Sequence, residues 1–319
     1  MKTLNLVKYF FFFLFTILFS LKISAQNKAE WHDVTIKDSV RHRLIPIRIY
    51  LPAENSHVPV VLFSHGLGGS REGSMFLAEH WAAHGYICIF VQHPGSDDSV
   101  WKEKPILQRM KAMREAANLK NFMLRVKDIS AVIDELEKWN KNKEHPLYNR
   151  MDLTKIGMSG HSFGAVTTQA VSGQTFQSGI SFTDTRIKAA VMFSPSSPKN
   201  LTPKKSFSNV KIPWMLMTGT NDVAVIGDQD VKSRLEVFPA LPPKDKYEVV
   251  LYKAEHSAFT DRALPGDKEK RNPNHHKVIL ALSTAFWDSY LRNNASVKLW
   301  LDGDGPYTIL EKEDGWQKK

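Results

Sequence analysis

The chain has 319 residues, 42% of them hydrophobic and 24% charged, the balance of an ordinary soluble globular protein with enough apolar material for one large core. Its single cysteine excludes a disulfide framework. The net charge of +10 would suit a nucleic-acid partner, but no nucleic-acid motif occurs and no basic stretch is interleaved with stacking aromatics, which excludes that class.

Lys2 and Lys8 precede an apolar run of thirteen residues from Tyr9 to Leu21, and the small-residue stretch Ile23-Ser24-Ala25 follows before Gln26. A membrane-spanning helix needs ~20 apolar residues and a signal-peptide core ~7 to 15, so a signal peptide over residues 1–25, cleaved after Ala25, is expected. Export to the periplasm or beyond follows, the other reading being a retained membrane anchor. No cysteine stands close behind the run to accept a lipid. Loss of Lys2, Lys8 and Lys22 would take the net charge from +10 to +7. Residues 26–319 are expected to form a single domain.

Two alternating runs, Trp31 to Lys37 and Arg43 to Leu51, predict an antiparallel hairpin at one sheet edge. Val58 to Ser64 and Tyr86 to Gln92 are continuously apolar, and Cys88 sits in the second as a small buried hydrophobe. Further strands are predicted at Lys155 to Ser159, Lys188 to Ser194, Pro213 to Gly219 and Tyr247 to Lys253. Leu119, Phe122, Val126, Ile129, Ile133 and Leu136 recur at helical spacing, and a second helix is predicted from Asn274 to Leu291. Continuous strand-like runs separated by helices indicate an α/β fold with a mostly parallel sheet covered on both faces. Ser194 to Asn209 reads as a loop from its Pro, Ser and Asn content. Between Trp101 and Lys127 stand Lys102, Lys104, Arg109, Lys111, Arg114, Lys120, Arg125 and Lys127 against only Glu103 and Glu115. That segment is either a solvated face or a site of weak association with anionic surfaces or substrates.

The chemistry concentrates in Gly160-His161-Ser162-Phe163-Gly164, a G-x-S-x-G pattern between a predicted strand and a predicted helix. In that context it is a nucleophile elbow: glycines flank the serine because larger side chains would collide in the tight turn. A serine hydroxyl needs a base, and the base a carboxylate, in the chain order Ser, acid, His. Downstream of Ser162 the histidines are His256, His275 and His276. His256 follows the last predicted strand, whereas His275 and His276 start the terminal helix as surface or capping residues. Asp222 follows the strand ending at Gly219. Asp184 precedes its strand, and Asp228 and Asp230 read as first-turn helix residues. The expected triad is therefore Ser162, Asp222 and His256.

The loop His65-Gly66-Leu67-Gly68-Gly69 follows the strand ending at Ser64, and its glycines let the backbone turn amides inward. The N–H groups of Leu67 and Phe163 are the expected oxyanion hole, with His65 bracing the loop. His93, Asp97 and Asp98 match no metal-ligand spacing, and no metal or cofactor is expected.

The "SHGLGG" loop, the "GHSFGA" elbow and the "HSAF" histidine loop resemble the α/β-hydrolase superfamily, and within it the secreted platelet-activating-factor acetylhydrolase and dienelactone-hydrolase-like group, over roughly Val58 to Phe259. Dienelactone hydrolases proper use a cysteine where this chain has Ser162. The acetylhydrolase type carries its acid one strand earlier, where Phe193-Ser194-Pro195 offers no carboxylate. These features predict a serine hydrolase of small-molecule carboxylic esters with short to medium acyl chains. A lipase, thioesterase, peptidase or acyltransferase could use the same triad, and a non-catalytic binding protein could use the same scaffold.

Overall fold

The structure, a computed structural model, describes residues 29–54, 56–227, 229–264 and 266–319. The expected signal peptide over residues 1–25 and Asp228 lie outside the described residues.

Among the described residues, nine strands form one sheet: β1 (Glu30–Asp38), β2 (Arg43–Leu51), β3 (Val58–Ser64), β4 (Ile87–Val91), β5 (Met151–His161), β6 (Ile187–Phe193), β7 (Trp214–Asn221), β8 (Lys246–Glu255) and β9 (Gly315–Lys318). Their order is β1-β2-β4-β3-β5-β6-β7-β8-β9. β4, β3, β5, β6, β7 and β8 run parallel. β1 and β2 are the expected antiparallel hairpin, and β9 pairs antiparallel with β8 at the other edge. β9 escapes a sequence reading because it is four residues of mostly exposed Gly-Trp-Gln-Lys with no apolar alternation.

Nine helices connect and cover the strands: α1 (Met75–Ala83), α2 (Ile106–Ala116), α3 (Leu119–Lys141), α4 (Phe163–Val171), α5 (Pro203–Phe207), α6 (Val231–Leu235), α7 (Val237–Ala240), α8 (Pro273–Tyr290) and α9 (Ala295–Asp302) among the described residues. The side-chain period of two explains the continuous apolar runs. In β3, Val61 and Phe63 pack with Trp81 of α1 and Phe286 of α8, whereas Val60 and Leu62 pack with Ile129 and Ile133 of α3. The predicted α3 stripe is thus core contact from Phe122 to Leu136, while Leu119 at its start is exposed.

Three expectations need correction. The supposed loop of residues 194–209 contains α5, which starts at Pro203 with Thr202 as its cap, so a Pro at the first helical turn marks a start there rather than a break. His275 is buried, its Nε2 3.0 Å from the Tyr252 carbonyl, and His276 stacks on Phe76 at 3.8 Å. His275 is therefore not a surface group, His276 is only partly covered, and Asn272 does the capping. In the basic segment Arg125 is fully buried.

Because β3 and β5 to β8 are parallel, their C-terminal ends share one edge of the sheet. Residues 64–69, Ser162, Ser194, Asp222 and His256 all follow those ends, where ligands bind in open α/β sheets.

Candidate active site

Ser162 links β5 to α4 with φ 57° and ψ −116°, a conformation a non-glycine residue holds only when its surroundings impose it. Its N–H donates to the Phe193 carbonyl at 3.0 Å. A methyl group on Gly160 would stand 2.4 Å from the Gly164 carbonyl oxygen, and one on Gly164 only 1.8 Å from that of Ser64. Both glycines are required by this close approach. The Ser162 hydroxyl, half-buried, has no hydrogen-bond partner among the described residues.

Asp222 lies one residue beyond β7 and His256 one beyond β8. A methyl on Gly219 would stand 2.0 Å from the Ala254 carbonyl, so glycine lets the two strand ends close together. His256 Nδ1 and Asp222 Oδ1 are 2.7 Å apart, which assigns the Nδ1 hydrogen to the carboxylate and leaves Nε2 bare. Thr218 Oγ1 donates to Asp222 Oδ2 at 2.8 Å, and Arg234 Nε lies 3.1 Å from Oδ1. Burial alone would raise the Asp222 pKa, but the charge and hydrogen bond of His256 and the Arg234 guanidinium bring it down to about 2.

Arg234 was not anticipated. It is buried on α6 and donates to the carbonyls of Asp222 (2.7 Å), Ser194 (2.8 Å) and Pro195 (3.1 Å), joining the loops after β6 and β7. Its Nη2 is 3.2 Å from His256 Nδ1. Since the single Nδ1 hydrogen goes to the shorter Asp222 contact, this is a cation packed beside the ring and not a hydrogen bond. His161, the variable residue of the elbow motif, donates from Nε2 to the His256 carbonyl at 3.1 Å. Burial, then the neighbouring His256 and Arg234, hold its pKa well below the ordinary histidine value, so it remains a neutral brace.

The competing acids lie elsewhere: Asp184 is tied to Arg186 and Ser130, and Asp230 caps α6. Asp97 accepts from Gln92 and Ser99 and is not gathered with His93. The Lys102 ammonium is paired with Asp98 at 3.4 Å.

In the loop after β3, the Gly69 N–H closes a turn on the Gly66 carbonyl at 3.1 Å with Gly68 at φ 70°, as a type II turn demands. The Gly68 N–H goes to the Ser96 carbonyl at 2.9 Å. The Leu67 N–H remains without a protein partner among the described residues, as does that of Phe163 at the start of α4. A methyl on Gly66 would be 3.4 Å from Ser162 Cβ, so the loop lies against the elbow. His65 donates from Nδ1 to the Gly66 carbonyl at 2.6 Å and accepts the His93 N–H on Nε2 at 3.1 Å.

Arg125 supports both halves of this arrangement. It donates to the His65 carbonyl, to Ser64 Oγ (3.0 Å), Ser96 Oγ (2.9 Å) and Thr167 Oγ1 (3.1 Å), and stacks over the Phe163 ring at 4.6 Å. Burial lowers its pKa to about 9, leaving it charged at neutral pH. Nearby, the buried Asp128 accepts from Arg41 (2.9 Å), from Arg43 Nε (2.8 Å) and Nη2 (2.9 Å), and from His93 Nδ1 (3.0 Å). The available signal was a charge inside an apolar stripe: Arg125 and Asp128 fall between Phe122 and Ile129 at helical spacing. Arg234 is placed likewise between Val231 and Phe238.

A family profile described as chlorophyllase matches residues 22–221, well over half of the chain. The chain belongs to the chlorophyllase family. Chlorophyllases lie within the α/β-hydrolase superfamily and hydrolyse carboxylic esters, in keeping with the mixed, mostly parallel sheet. The chlorophyllase match spans Leu67, Ser162 and Phe163 and stops one residue short of Asp222. Among curated proteins nothing matches.

Proposed function

We propose that this chlorophyllase-family chain is an exported serine esterase with Ser162 as nucleophile, His256 as base and Asp222 as the acid that orients it. The observation that carries the reading is the buried Asp222, 2.7 Å from His256 Nδ1, beside a strained elbow whose serine hydroxyl has no partner among the described residues. Ser162 Oγ attacks the ester carbonyl and passes its proton to His256 Nε2. The Leu67 and Phe163 amides donate to the oxyanion, a contribution of ~3 to 4 kcal/mol per donor in comparable sites. His256 returns the proton to the departing alkoxide, and an acyl-enzyme remains. Water then gives a proton to His256 as it attacks the acyl carbon, and Ser162 leaves with that proton.

Short to medium acyl chains are favoured because the sequence has no long hydrophobic insertion suited to a lipase lid. The resemblance to acetylhydrolases and dienelactone hydrolases belongs to the same proposal, as does export by cleavage after Ala25, which N-terminal sequencing of the released protein tests: a first residue other than Gln26 would move or remove the cleavage. The activity test is hydrolysis of p-nitrophenyl acetate, butyrate and palmitate and of chlorophyll by the chain and by Ser162→Ala. Ser162→Ala should lower kcat by about 10⁴-fold or more. Undiminished turnover would remove Ser162 from the reaction.

A further inference from the structure

We infer that α2 is a docking face for an anionic lipid bilayer, set beside the mouth of the active site. Among its eleven residues, only Ala116 is buried. Ile106 is 77% exposed, Leu107 93% and Met110 38%, large apolar side chains with no core to cover. On a helix these three fall within about 100° of one another, an exposed apolar stripe that borders the face packed through Met113. Water is a poor partner for that much apolar surface, and a bilayer's headgroup region is a good one.

Charge selects the kind of surface. Lys102, Lys104, Arg109, Lys111 and Arg114 stand in α2 or just ahead of it, against Glu103, Glu115 and the Asp98 that pairs with Lys102, a net positive surface. A second copy of the chain seated there by two-fold symmetry would set this cationic patch against itself, which disfavours self-association. An anionic leaflet complements it instead, each cation near the surface strengthening attachment by several-fold.

The position gives the docking a consequence. Trp101, just ahead of α2, donates from Nε1 to the Gly68 carbonyl at 2.7 Å. A methyl on Gly68 would stand 2.9 Å from that nitrogen and 3.0 Å from Met113 Cε. α2 therefore packs directly on the loop that adjoins Ser162, and a chain lying on a bilayer through α2 holds this loop at the lipid interface. The substrate class this adds is an ester borne on a lipid surface. That last step rests on the esterase reading; the docking does not.

The test is co-sedimentation of the full chain with phosphatidylcholine vesicles, with and without about one third phosphatidylglycerol, alongside turnover of soluble p-nitrophenyl butyrate. Anionic vesicles should bind about tenfold more tightly than neutral ones, and the difference should shrink in high salt. Ile106→Asn/Leu107→Asn and, separately, Lys104→Glu/Arg114→Glu should each weaken binding about tenfold while leaving soluble turnover unchanged. Every protein carries the same N-terminal apolar run, so only differences among them report on α2. Equal binding by the chain and both variants would overturn the proposal, as would equal affinity for neutral and anionic vesicles. A dimer abolished by the apolar variant, without vesicle binding, would assign the face to a second copy. Vesicle binding through α2 without turnover of any ester would retain the docking and defeat the esterase reading.

Discussion

The molecule contains two groups of a serine, a histidine and an aspartate, and they differ in how far hydrogen bonds join them. In one, Ser64 Oγ lies 3.0 Å from His93 Nε2, and His93 Nδ1 lies 3.0 Å from Asp128. In the other, Asp222 holds His256 Nδ1 near the elbow that bears Ser162. By hydrogen bonding alone the first is the more complete. All three of its members are fully buried, however, and Ser64 Oγ already accepts from Arg125. Burial first, and Arg125 second, bring the His93 pKa down to about 4 despite the Asp128 carboxylate, so its ring is neutral. Among the described residues the half-buried Ser162 hydroxyl and two amides nearby have no protein partners. Under the proposed function, reactivity depends on what is left unsatisfied and reachable, while complete satisfaction makes a brace.

Substitutions at matched positions sharpen this contrast. The largest effect is expected at the acids. Asp222→Asn should lower kcat by about 10³- to 10⁴-fold in ester hydrolysis, because the wrong imidazole tautomer is then favoured. Asp184→Asn should stay within a few-fold, and the reverse ranking would move the acid. Asp128→Asn should instead cost about 3 to 5 kcal/mol of stability in urea unfolding, since it removes the partner of two arginines and a histidine. A smaller loss, about 1 to 3 kcal/mol, is expected for Ser64→Ala, which leaves Arg125 and His93 each one partner short. Its turnover should remain within about tenfold of the parent, whereas a fall as deep as that of Ser162→Ala would make Ser64 part of the reaction.

The smallest effect concerns pH and two buried groups of opposite sign. The His93 pKa is lower folded than unfolded, so its contribution is full above the ordinary histidine value and is lost as pH falls through about 4. Glu248 on β8 is raised to about 7, by burial that its bond from Gln317 and the charge of Lys319 do not overcome. Its contribution is present below the ordinary carboxyl pKa and is lost as pH rises through about 7. The two trends offset each other between about pH 4 and 7. Glu248→Gln should raise stability by about 1 to 2 kcal/mol at pH 8 and expose a decline in stability toward pH 4. An unchanged profile in that variant would mean Glu248 is not titrating as described.

What could be read in advance was whatever left a local trace. Alternation and continuous apolar runs mark β1 to β8, and Gly160 and Gly164 mark the elbow, because a strand's period and a turn's lack of room act within a few residues. Chain order and position after strands single out Ser162, Asp222 and His256 as candidates, and of these the structure brings Asp222 and His256 into hydrogen-bond contact. Arg125, Asp128 and Arg234 appear only as charges interrupting apolar stripes, with nothing in their neighbours to say what they reach. β9 pairs across 60 or more residues with no periodicity of its own.

The amino-acid sequence by itself determined the α/β architecture, the elbow and the order of its candidate partners, since backbone sterics and side-chain periodicity are local. Only the tertiary structure decided that Ser64, His93 and Asp128 form a sealed brace, that Arg234 joins the loops behind His256, and that α2 presents its apolar stripe outward. Those outcomes depend on which distant groups become neighbours and on how much water remains between them. Burial sets the strength of each such contact, and burial is a property of the whole fold.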